Sequence, residues 1–193
     1  AYAYSGGGFT VAQLLIVEAG VKPYPDLLKT LVLDPAGMKQ STLAQPLPPA
    51  LIPRAASGHN RKGEVIPGAR NVYPEYAAAG MWTTPSDYSR FLLALPHASA
   101  RRPHAILSQA SARTMMTPVD AAAGYGLGVV LGRRGGHPYF THSGGNEGFQ
   151  CDSFAFLDGS GQGVVVMTNS DSGGLIATEI LRALGEAYHW GDP

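Results

Sequence analysis

Thr141-His142-Ser143-Gly144-Gly145, followed by Asn146-Glu147-Gly148-Phe149 and a strand-like run over residues 152–157, decides how this chain reads. Residues 139–142 and 152–157 read as strands. Residues 126–131 form a third such run before them and residues 163–168 a fourth after them. Asp158-Gly159-Ser160-Gly161 is a tight-turn signal between the last two. Residues 175–188 close the chain as an amphipathic helix through Ile176, Ile180, Leu181, Leu184 and Tyr188. An antiparallel meander covered by a helix is the expected outcome.

Upstream the period changes from two to about 3.6. Residues 9–18 place Val11, Leu14, Leu15 and Glu18 at helical spacing, after glycines and before Gly20. Tyr24, Leu27, Leu28, Leu31 and Val32 form a second stripe opposite Asp26, Lys29 and Thr30. Pro35 ends that helix, because proline disfavours helical dihedrals at Asp34. Residues 44–75, rich in Pro and Gly, read as a long connection with a short hairpin. Thr84-Pro85-Ser86-Asp87 is a helix start: Thr84 caps, and Pro85 suits the first turn. Tyr88, Phe91, Leu92 and Leu95 then share one face. A shorter helix after Ser108 buries Met115 or Met116. The fold class is α+β, an antiparallel sheet flanked by helices plus a helical region. Residues 1–120 are mainly helix and loop, and residues 121–193 hold the strands and last helix.

The 193 residues suffice for a real core, and 45% are apolar against 15% charged. Fourteen basic residues balance fourteen acidic ones, so no overall field draws nucleic acid or an anionic membrane. Arg101-Arg102 and Arg133-Arg134 read as solvated loop charges. Cys151, the one cysteine, excludes an internal disulfide and reads as a buried thiol at a strand start. No apolar stretch approaches the ~18 residues that span a bilayer, and no leader peptide is visible. HExxH, GxSxG and Walker patterns do not occur, and Gly124-Tyr125-Gly126-Leu127-Gly128 lacks dinucleotide-loop spacing.

At the start of the chain stands Tyr2-Ala3-Tyr4-Ser5-Gly6-Gly7-Gly8-Phe9, with Leu33-Asp34-Pro35-Ala36-Gly37-Met38 downstream. Taken alone, Tyr4 also fits a plain aromatic residue at a helix entrance, with Tyr2 as a packing residue, and His142 also fits a strand-end histidine satisfied by backbone. Together with Ala78-Ala79-Gly80-Met81-Trp82-Thr83-Thr84 and Met167-Thr168-Asn169-Ser170, the order of these runs resembles the serine β-lactamase and penicillin-binding-protein family, class C enzymes above all. Tyr4-Ser5-Gly6 matches that family's Tyr-x-Asn motif, and His142-Ser143-Gly144 its Lys-Thr-Gly motif. The family's nucleophile motif, Ser-x-x-Lys, occurs nowhere in these residues.

The resemblance implies a β-lactamase/transpeptidase-like fold, here incomplete, and the C-terminal part of a serine hydrolase cleaving an amide or ester through an acyl-enzyme. It assigns Tyr4 to proton transfer and His142 to donating a proton or partial charge. Gly6, Ser143, Gly144 and Gly145 fall on the oxyanion and substrate-binding side, with the Gly145 N–H as an oxyanion donor. Gly6 replaces an asparagine that binds the acyl amide, which shifts expectation from β-lactams toward esters or D-amino-acid peptides. No metal or organic cofactor is implied. The expected partners are a small-molecule or peptide substrate and an N-terminal portion carrying Ser-x-x-Lys. Self-association through exposed sheet edges is the alternative, and a periplasmic or secreted location follows from the family. The rival reading is a non-catalytic binding module of the same fold.

Overall fold

A computed structural model describes residues 3–99, 106–120 and 124–191. Arg101-Arg102 and Tyr2 lie outside the described residues. Four antiparallel strands run in the order β1 (Val130–Arg134), β2 (His137–Asn146), β3 (Phe149–Phe156) and β4 (Gly163–Thr168). Tyr139 faces Phe156 and Asn146 faces Phe149 across the central hairpin. Side chains alternate across the sheet, so Phe140 and Ala155 share one face, Phe154 and Phe156 the other.

On the first face lies α4 (Pro85–Ser99), beside α5 (Gln109–Met115). Leu92 and Leu95 pack there with Val129, Phe140 and Ala155, and Met115 and Met116 both lie half-buried against them. On the second face lies α6 (Gly173–Ala187), where Phe154, Phe156 and Trp190 form a cluster with Leu181 and Leu184. The third cluster, Tyr24, Leu33, Met38 and Leu43, belongs to the helical half. There α1 (Gly6–Gly20) rests on α3 (Tyr76–Ala79) and α2 (Tyr24–Leu28), and Gln13 Oε1 accepts the Ala77 N–H at 2.9 Å.

The structure departs from the sequence expectation in five places. The run 126–131 becomes strand only at Val130. Gly126 and Leu127 turn against the Met115 carbonyl, and Gly128 takes the left-handed φ of 81°. The second helical stripe slips by one residue, because Lys29–Leu33 is a turn of π-helix. Its extra residue moves Leu33 into the core and leaves Leu31 exposed. The last helix turns the expected Leu181 and Leu184 inward, but Gly173, Ala177 and Gly185 are buried deeper, and Ile176 and Tyr188 are exposed. A Cβ on Gly173 would stand 1.6 Å from Thr168 Oγ1, so only a small-residue face comes this close to β4. Arg133 and Arg134 belong to β1 rather than a loop. Arg134 donates to the Gly191 carbonyl at 3.0 Å and lies 5.9 Å from the centre of the Trp190 ring. Cys151 is half-buried and lies inside β3.

Other local readings hold. Asp87 N–H donates to Thr84 Oγ1 at 3.2 Å, which caps α4. Ser108 Oγ accepts from Ser111 N–H at 3.0 Å and caps α5. In the long connection, residues Pro49–Arg54 form a 3-10 turn and His59 bridges Val65. Ser160 N–H closes the β3–β4 turn on Asp158 Oδ1 at 2.9 Å.

Candidate active site

Tyr4 stands directly before a helix whose first turn is held by Ser5: its hydroxyl accepts the Gly8 N–H at 3.0 Å. The phenol is 63% exposed, so it projects from the helix entrance instead of packing beneath it. His142 stands on β2 opposite Ser153, on the face that carries α4. Although they come from opposite ends of the chain, these two side chains line the same space. An outer lobe of about 500 Å³ is bordered by Tyr4, Phe9, Asp120, Tyr125 and His142. An inner lobe of about 320 Å³ shares Tyr4, Phe9, Gly128 and His142 and adds Gly6 and Tyr88.

The strand beneath this space is half open. β1 pairs with β2 only from His137 to Thr141. From His142 onward, the β1-side edge of β2 has no strand partner among the described residues. An unpaired edge offers backbone N–H and C=O groups to an added chain or a reacting carbonyl. Ser143, Gly144 and Gly145 lie on this stretch, Ser143 and Gly145 both exposed. None of the three borders either lobe, which His142 reaches from the same strand. A Cβ on Gly144 would stand 3.0 Å from Cys151 Sγ, and one on Gly145 3.0 Å from the Gln150 amide, so glycine lets both neighbours sit close.

The strand end is anchored from outside. Asn146 Nδ2 donates to the Ala79 carbonyl at 3.1 Å, and Gly148 N–H donates to Asp171 Oδ1 at 2.7 Å. These bonds fix β2 against α3 and the entry to α6.

Below the cavity lie groups that the sequence motifs did not single out. Ser153 is buried and donates to the His142 carbonyl at 2.8 Å. Tyr88 hydrogen-bonds Ser153, while burial pushes its phenol above the ordinary value and outweighs that bond. Burial likewise raises the Cys151 thiol, whose Sγ donates to the Gly144 carbonyl at 3.6 Å. Strand alternation places Ser153 beside His142 once their register is known. The register, set by a turn 146–149, was the missing signal. Asp120 and Tyr125, which bridge each other, also border the cavity, and no periodicity marks them.

An α4-covered antiparallel sheet with this cleft at the end of β2 defines a recognisable class of fold. The chain matches the Beta-lactamase family over residues 1–188, and it belongs to that family. Among solved structures, the D-amino acid amidase of Ochrobactrum anthropi SV3 complexed with D-phenylalanine shares 26% identity at a TM-score of 0.71. That match covers 96% of this chain and 62% of the amidase. The penicillin-binding protein from Bacillus halodurans has a TM-score of 0.76 at 22% identity, over 95% of this chain and 56% of that one. A D-stereospecific amidohydrolase from Streptomyces superposes at 0.70 with 20% identity, over 89% and 51%. The last two show the fold alone. This chain therefore spans 51% to 62% of the length of these relatives. No curated protein sequence matches it.

Proposed function

We propose that this chain is the C-terminal part of a serine hydrolase that cleaves an amide or ester through an acyl-enzyme. The observation that carries the reading is the meeting of Tyr4 and His142 around one cavity, beside the open edge of β2. Family membership and the likeness to a D-amino acid amidase support the same chemistry.

In this reading an N-terminal portion with Ser-x-x-Lys completes the site, and its serine attacks the carbonyl. Tyr4 relays the proton between that hydroxyl and the leaving group. A phenol of ordinary pKa, about 10, is a weak base at neutral pH. A neighbouring lysine ammonium lets it take up this work by favouring the phenolate. The Gly145 N–H and the serine's own N–H hold the oxyanion, each donor worth roughly 3 to 4 kcal/mol in the transition state. His142 donates toward the substrate or Tyr4, where the family's lysine would stand. Water then releases the acyl group.

Gly6 borders the inner lobe where the family has an amide side chain. Without that donor an acylamino side chain loses a partner, which favours esters and simple amides over β-lactams. Turnover of a short-chain aryl ester and a chromogenic cephalosporin by the chain extended to include Ser-x-x-Lys tests this. The ester should be the better substrate. A cephalosporin turned over faster would overturn the preference, and no turnover of either would overturn the hydrolase reading.

A further inference from the structure

Among the described residues, two small polar side chains are buried, Asp87 on α4 and Ser153 on β3. Buried polar groups cost stability unless each finds a partner. Asp87 accepts the Gln40 N–H at 2.6 Å, the Ser41 hydroxyl at 2.9 Å and the Arg90 guanidinium at 2.6 Å, which pins the first turn of α4. Tyr88 follows Asp87 on that helix and borders the inner lobe together with Ser153 and His142. Ser153 commits its one proton to the His142 carbonyl at 2.8 Å, so its oxygen is left to accept from the Tyr88 phenol. The polar chain therefore has a direction, from α4 through Ser153 to the backbone of His142.

Its end point coincides with the place where β2 loses a neighbour. β1 supports β2 as far as Thr141, and from His142 onward β3 is the one strand that holds it among the described residues. Thr141 Oγ1 adds a second tie at this rung, donating to the Ser153 carbonyl at 2.6 Å. A methyl group at position 153 would fill much of the same space, but it could neither donate to His142 nor accept from Tyr88. Linked hydrogen bonds of this kind rigidify the groups they join.

We propose that Tyr88 and Ser153 are positioning residues for the hydrolytic reaction, holding the His142 peptide, and through it the imidazole, in one orientation at the cavity. This rests on the hydrolase reading and adds to it two residues that act through His142.

Two arms test it. The first follows the histidine signals of the 193-residue chain by NMR. His142 should show separate Hβ signals, the mark of a single side-chain rotamer. Tyr88→Phe and Ser153→Ala should each draw those signals together and leave the ring signals of His59 and His137 in place. Unchanged His142 signals in both variants overturn the inference, and so do equal shifts of all three histidines in both. The second arm measures aryl-ester turnover by the chain extended to include Ser-x-x-Lys. Each variant should lower kcat about threefold to tenfold, the scale of one hydrogen bond, with KM held within about twofold. In a His142→Ala background the same substitutions should lower kcat no further, because the side chain they position is gone. An undiminished effect in that background makes both residues general supports of the sheet and overturns the inference. An extended chain that turns over no ester overturns the hydrolase reading, whereas the NMR arm still decides whether Tyr88 and Ser153 orient His142.

Discussion

At the scale of single residues, electrostatic effects follow from what each group touches. Asp158 shows this with a sign that can be checked. The Ser160 backbone N–H donates to its carboxylate and holds it below the ordinary aspartate value, and the Ser160 hydroxyl and His137, 2.8 Å away, act in the same direction. A depressed folded-state value stabilises the protein above the unfolded-state value, near 3.9, and loses that effect as pH falls through the folded one. Denaturant unfolding of Asp158→Asn should therefore show a small deficit at pH 7 that vanishes on acidification below about pH 4. A deficit that persists unchanged at pH 2 would contradict this. Tyr88 and Cys151 follow the opposite rule. Burial raises both, so both side chains stay neutral at neutral pH.

At the scale of elements, close approach decides which helix face turns inward. Gly173 meets Thr168 so tightly that an added methyl must displace the helix or the strand. Gly173→Ala should destabilise the fold by about 1 to 3 kcal/mol, the usual cost of overpacking, read from chemical denaturation. A neutral result would mean that α6 is free to shift.

The same contact explains what sequence patterning could and could not reveal. The α4 face through Leu92 and Leu95, its Thr84 cap and the strand 163–168 were legible, because local propensity and burial agree there. The inward face of α6 was legible at Leu181 and Leu184 but not at its start, because a hydrophobic stripe ranks Ile176 above Gly173 while packing distance ranks them the other way. The π turn at Lys29–Leu33 was equally invisible, since a periodic pattern assumes a constant number of residues per turn. As for the site, motif order pointed to Tyr4 and His142. Ser153 and Asp120 border the cavity through strand register and the Asp120–Tyr125 bridge, neither of which a motif marks.

At the scale of the whole molecule, much apolar surface lies uncovered. α1 has no buried residue, and Val11, Leu14 and Leu15 are each more than half exposed. On α6, Leu175 is 78% exposed. β4 pairs with β3 alone, so its outer edge has no strand partner among the described residues. Open edges and apolar faces favour association. We expect the 193-residue chain to sediment as an oligomer, or with a second polypeptide that covers these surfaces. A soluble monomer persisting at high micromolar concentration would contradict that expectation.

The most direct test follows the covalent intermediate itself. The chain extended to include Ser-x-x-Lys is mixed with a short-chain aryl ester, quenched in acid and weighed intact. The account predicts one added acyl group on the serine of that motif. Its rate of appearance should fall about a hundredfold or more in Tyr4→Phe, the usual contribution of a positioned proton-transfer group. An adduct forming at an unchanged rate in both Tyr4→Phe and His142→Ala would contradict it, because the phenol and imidazole would then share a cavity without sharing the chemistry.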